Sequence, residues 1–347
     1  MSLSKAYLVP LAVGLAFAQV GSSQAISQPG DGGPAVKAEI SDPMALAIDH
    51  AGILYIAENE GPIRRVDLQS GIITTIQIRR KMEGISSLAV DRKGNLLATE
   101  EDSNSVIRID PANGSVTTIT EDKLSSPESV TTDVDNNVYF ADLDNHRVRR
   151  VDAKTGIITT IAGSGEQNSS GDGGLAINAG LGFPESVAVD REGNVYISEN
   201  ENGPGRVRRV DAKSGIITTV AGSTTARLPG DGGLALDAAL GFPSGLLLDA
   251  MDNLYVLEGT NDRVRYIDAR TQIIRTVVGP VDGFGGDGGP AVLAKLDYPR
   301  SIAMDADGNL YIADTDNHRI RRVDARTGII ETVAGNGLPK HIHSITQ

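Results

Sequence analysis

Short apolar runs rich in Val, Ile, Leu, Tyr and Thr recur along this chain in groups of four, punctuated by Gly, Asp and Asn. One group is plain near the C-terminus. A run at 301–305 is followed by Ala-Asp-Gly-Asn at 306–309 and a second run at 310–313. A third run lies at 319–324, then Ala-Arg-Thr-Gly at 325–328 and a fourth run at 329–334. β-branched and aromatic residues bounded by turn formers predict consecutive antiparallel hairpins.

The second run of each group carries one phrase, in most copies apolar-Tyr-apolar-small-acid, at 54–58, 96–100, 138–142, 195–199, 254–258 and 310–314. Successive copies are 42, 42, 57, 59 and 56 residues apart. Six units of four strands predict an all-β fold, a six-bladed β-propeller with four antiparallel strands per blade and short helices in the inter-blade loops. No such unit buries both faces alone, so each depends on its neighbours. The first unit has its own fourth run (72–76) and the last has 329–334, which predicts six self-contained blades. The ring would close by side-chain packing, helped by residues 26–40.

The repeat reads Pro-x-x-apolar-Ala-apolar-Asp, Gly-Asn-Leu-Tyr-Ile-Ala-Asp, Asn-His-Arg-Ile-Arg-Arg-Val-Asp, then Thr-Gly-Ile-Ile-x-Thr-Val-Ala-Gly. It resembles the NHL repeat over roughly residues 30–337. The second unit (85–120) departs from the pattern: it lacks the leading Pro and has Leu97 in the Tyr position. The resemblance implies a propeller. It does not fix a chemistry, because NHL propellers serve as adhesion, sensor and RNA-binding modules and as a few enzymes.

Composition narrows the setting. Lys5, an apolar run at 6–20 and a small polar stretch ending at Ala25 predict a signal peptide at 1–25, ahead of a propeller at 26–340 and a tail at 341–347. The apolar run is too short for a spanning helix, so the expected location is secreted or periplasmic, with no membrane span in the mature chain. With no cysteine among 347 residues, stability must come from packing rather than disulfides. A net charge of −13 argues against nucleic acid as a partner. The absence of Trp argues against a sugar-stacking lectin. A monomer is expected.

Strand direction gathers the second-to-third loops and the inter-blade loops on one face, the top, and the other turns on the bottom. Four inter-blade loops begin Gly-Asp-Gly-Gly, around Asp31, Asp172, Asp231 and Asp287, followed by Ala-spaced stretches. They predict a turn and a short helix rather than a calcium or phosphate loop, and they enter blades 1, 4, 5 and 6. The expected result is a top face with a raised rim on that side and an opening over blades 2 and 3. The second-to-third loops hold 13 carboxylates, among them Glu100, Glu101, Asp102, Asp142, Asp144 and Glu201. Their functional reading is a site for a cation or cationic ligand. The acid that ends the second strand recurs, however, and contacts to Arg147, Arg206, Arg263 and Arg319 would account for it. Met44, Ser86, Glu128, Glu185, Ser244 and Arg300 should ring the mouth of the central channel, where Glu128, Glu185 and Arg300 could hold a polar ligand.

Enzymes of similar shape supply tests. The peptide-amidating lyase resembles this fold and needs three histidines on zinc; none of His50, His146, His318, His341 and His343 falls on an innermost strand. Lactonases of related shape hold calcium with Glu, Asn and Asp, and the asparagines are missing from the six mouth positions. The reading favoured is a scaffold that binds a protein or a cationic small molecule through an acidic, asymmetric top face. The alternative is a divalent-metal-dependent lyase or hydrolase, lactonase-like or amidating-lyase-like, with calcium as the ion.

Overall fold

The computed structural model describes residues 27–338 apart from 60, 83, 121–123, 202–204, 224 and 226–228, so the expected signal peptide and C-terminal tail lie outside the described residues. Six four-stranded antiparallel sheets follow one another along the chain, each with its strands in sequence order. Blade 1 comprises Pro43–Ile48, Ile53–Glu58, Ile63–Asp67 and Ile72–Thr75, and blade 6 comprises Ser301–Met304, Leu310–Asp314, Arg319–Val323 and Ile330–Ala334. Among the described residues each blade is built from its own four consecutive strands, as the sequence predicts.

The turns explain the repeated polar residues. In blade 6, Asp305 accepts the amides of Asp307 and Asn309 through Oδ1 and the hydroxyl of Tyr311 through Oδ2. The side chain of Asn309 then accepts the amide of Ala325, joining this turn to the third-to-fourth turn. Tyr55 and Tyr139 repeat the contact with Asp49 and Asp133. The tyrosines are therefore structural.

The core lies between blades rather than within them. Six apolar clusters each combine residues of two adjacent blades; one joins Leu46, Leu54 and Ile56 of blade 1 to Tyr311, Ala313 and Ile320 of blade 6. Each sheet has two such faces, both largely apolar, so the ring must close for any blade to be dry.

Hydroxyls stitch the inner strands together. The Ser87, Ser129, Ser186 and Ser301 side chains accept the amides of Val130, Val187, Leu246 and Leu46 on the next blade at 3.0–3.2 Å. At the ring's closure, Thr315 also donates to the Pro43 carbonyl at 2.7 Å, and His318 lies 3.1 Å from Asp42. Closure thus uses polar clips as well as the expected packing.

The Gly-Asp-Gly-Gly loops contain the predicted helices, as three-residue 3-10 turns: Ala35–Lys37, Ala176–Asn178, Ala235–Asp237 and Ala291–Leu293. They do not form the raised rim expected from the sequence. Each loop runs along the outer strand of its own blade, as in the amides of Gly32 and Ala35 donating to Ile73 and Gly71, and Gly71 lies in a bottom turn. It also receives the amides that follow the previous blade's outer strand, as Gly335 and Asn336 donate to Ala35 and Ala38. The loop is a staple across a seam at the perimeter. Gly30 shows why glycine is needed: its φ is +88°, and a Cβ there would lie 2.7 Å from that of Ala38.

Candidate functional site at the channel mouth

The aspartates of the four staples have a structural task. Asp31, Asp172, Asp231 and Asp287 each pair with a third-strand arginine, Arg64, Arg208, Arg265 and Arg321 respectively. All four arginines are fully buried, and each also faces the acid that ends its blade's second strand: Glu58, Glu199, Glu258 or Asp314, at 3.1–3.6 Å. A buried cation between two carboxylates satisfies both charges. The arginine that does this lies two positions beyond the one expected. Arg263 and Arg206 assist at Glu258 and Glu199, but Arg147 and Arg319 donate to backbone carbonyls instead.

The same logic removes two candidates from the site. Asp142 is buried and takes the Ser125 amide, Asn145 and Arg149. Glu100 is buried in blade 2, where Ile107 replaces the arginine, and pairs with Arg80 from the preceding loop. Glu201 accepts the Ser169 amide and fixes the loop leading into blade 4, and Asp102 lies beside Gly84. Glu101 and Asp144 are exposed and close enough to Glu128 to act on its charge.

The six mouth positions do converge. Met44, Ser86, Glu128, Glu185, Ser244 and Arg300 line the rim of one cavity of about 270 Å³ at the head of the central channel. One step deeper on the same strands, Leu46, Leu88, Val130, Val187, Leu246 and Ile302 form an aliphatic ring. In blades 1 to 5 a register shift of the inner strand falls at the mouth residue, which turns it toward the channel above the aliphatic ring. The charge is uneven: Glu128 and Glu185 stand on adjacent blades, joined just behind them by the Ser129 and Ser186 hydroxyls at 3.5 Å. Arg300 is exposed, its guanidinium 4.3 Å from the Tyr298 ring centre.

Partial burial sets the electrostatics. Glu128 is pushed up to about 7 by desolvation, then by the charges of Glu185 and Glu101, against the pull of Arg300. Glu185 is likewise raised to about 7 by desolvation, offset by Asn200 and Arg300. At neutral pH each carboxyl therefore stands near its midpoint, poised to change charge when a cation arrives.

Three features of the mouth escape sequence reasoning. Asn200, 6% exposed, lies behind Glu185 and its side chain holds that carboxyl down against desolvation. Ser244 Oγ is buried and unsatisfied. Phe242, an exposed aromatic, lines the cavity. Phe242 occupies the same pre-Pro position as Phe183, which instead packs on His146; nothing in the sequence separates the two. Unpaired buried polar groups are uncommon and mark a place where a partner is missing.

Among the described residues no helix is long and apolar enough to cross a membrane. The model of the Teneurin NHL domain matches residues 280–344, and that of a repeat of unknown function matches 12–128. Mouse (Mus musculus) Teneurin-1 is 34% identical over 196 residues, covering 50% of this chain and 7% of that protein. NHL repeat-containing protein 2 of Gallus gallus is 25% identical over 305 residues, covering 85% of this chain and 40% of that protein. The chain thus spans well under half the length of these relatives. In structure it is similar to an auxiliary nutrient binding protein from Bacteroides thetaiotaomicron, with a TM-score of 0.62 and 17% identity over 89% of this chain and 75% of that one. With six four-stranded repeats and relatives of this kind, the chain belongs to the NHL-repeat β-propeller family.

Proposed function

We propose that this propeller is an extracytoplasmic binding scaffold and that its channel mouth is a binding site for a cationic group, on a small molecule or at the surface of a protein. The observation that carries the reading is the half-buried pair Glu128 and Glu185, set in one cavity with Ser86, Ser244 and Phe242. Unlike the strand-ending acids, these two carboxylates are not absorbed by a buried arginine. A rigid ring presents them without reorganisation, which favours binding. The nutrient-binding role named for the Bacteroides neighbour is compatible with such a site. The N-terminal apolar run supports export.

The test is a thermal-shift screen with small cations, small anions and calcium, on the chain and on Glu128→Gln and Glu185→Gln. Stabilisation by organic cations that both variants abolish is the expected result. Tight calcium binding lost in both variants would favour the metal-dependent lyase or hydrolase class. Stabilisation by anions alone would overturn the reading.

A further inference from the structure

The mouth and the shaft beneath it differ in chemistry within one cavity. Above stand the Glu128 and Glu185 carboxyls with Ser86, Ser244 and Phe242; below stands the aliphatic ring from Leu46 to Ile302. A hydrated divalent ion would use the first and waste the second. Among the described residues, moreover, no three of His, Cys, Asp and Glu are grouped to hold a metal. A ligand with one compact charge and an apolar body uses both. Phe242, 40% exposed at the rim, offers an aromatic face to a cation or a cover to a hydrocarbon.

We infer that the channel mouth selects a small amphiphilic primary amine, its ammonium held between Glu128 and Glu185 and its apolar body lowered against Leu46, Leu88, Val130, Val187, Leu246 and Ile302. The inference rests on the cation-binding reading above and names the ligand's chemical class. An ammonium has three donors, enough for both carboxyls and one water. Arg300, just ahead of the inner strand of blade 6, keeps the mouth from accumulating a second cation and disfavours diamines. The volume of about 270 Å³ admits a short chain or a single ring rather than a drug-sized molecule.

The test is calorimetric titration of the full chain with straight-chain primary amines from ethylamine to octylamine, and with the matching alcohols. Each added methylene should tighten binding about fourfold until the shaft is filled, after which the series levels off. The alcohols should bind about tenfold more weakly at equal length, and Glu185→Gln should weaken every amine by a similar factor while leaving the slope intact. Leu246→Ala should move the plateau to a longer amine. Amines that bind through the glutamates with no dependence on length would overturn the amphiphile inference and spare the cation reading. No binding of any amine, or binding unchanged in Glu185→Gln, would overturn both. If the variant fails to fold, the comparison of amine with alcohol on the unaltered chain still decides.

Discussion

The hydroxyl of Ser301 accepts the backbone amide of Leu46 at 3.0 Å, a bond that joins the last blade to the first across 255 positions. Leu46 is only 3% exposed, so its amide has no ready substitute in water. Ser301→Ala should therefore cost about 1–3 kcal/mol. The check is guanidinium unfolding, where the midpoint should fall with the slope unchanged. An unaltered midpoint would show that packing alone closes the ring.

Arg208 lies between Asp172, itself partly exposed, and the fully buried Glu199. Arg208→Met leaves the buried Glu199 with only the Gly182 amide and the longer contact to Arg206, and should cost about 3 kcal/mol. Asp172→Asn leaves the arginine its inner partner and its backbone acceptors at Gly180 and Ser170, and should cost about 1 kcal/mol. Thermal unfolding of the two variants checks the order. Equal losses would mean that the staple, not the buried pair, carries the energy.

The two mouth glutamates make stability depend on pH in an uncommon direction. Their folded values near 7 lie above the ordinary 4.5, so between these limits the native state holds protons that the unfolded chain has lost. Stability should fall as pH rises through that window, by roughly 1 kcal/mol for each group after screening by water. Asp172 and Asp231 act oppositely. Their bonds to threonine and arginine hold them below the usual value despite burial, so their contribution is lost as pH falls below about 4. A melting series from pH 4.5 to 7.5 on the chain and on the Glu128→Gln, Glu185→Gln double variant tests this, since the double variant should keep only the shallower slope of groups such as Asp314, which burial also raises, to about 6.

Cation binding should release protons. A bound ammonium favours the charged carboxylates, so at pH 7 roughly half a proton should leave each glutamate. Titrations in phosphate and in Tris, whose ionisation heats differ, would read the release directly. Identical heats in the two buffers would argue that both groups are already charged.

The strand count, the blade boundaries and the six mouth positions were all readable in the sequence, because a repeated phrase fixes which residues share an edge. The staples were readable only as local objects. That Ala35 and Ala38 fill a seam depends on the previous blade's Gly335 and Asn336, some 300 residues away, and nothing local to Ala35 reveals it. The arginine partners were misplaced by two positions because both candidates point the same way on the strand; only burial distinguishes Arg321 from Arg319. Phe242 gains its meaning from the cavity and Asn200 from its contact with Glu185, neither of which a linear reading can measure.

Staples bridge the seams leading into blades 1, 4, 5 and 6, and serine clips secure those leading into blades 1, 3, 4 and 5. Among the described residues the junction between blades 1 and 2 has neither a Gly-Asp-Gly-Gly staple nor a serine clip, since Ala45 stands where the serine would be; its entry loop is held to blade 2 by Arg79 and Arg80, and the seam itself is filled by the apolar cluster around Tyr55, Met82 and Leu88. Breathing of the ring should begin at this fault line. Its amides would be the first to exchange with deuterium, and a protease would find its earliest foothold there.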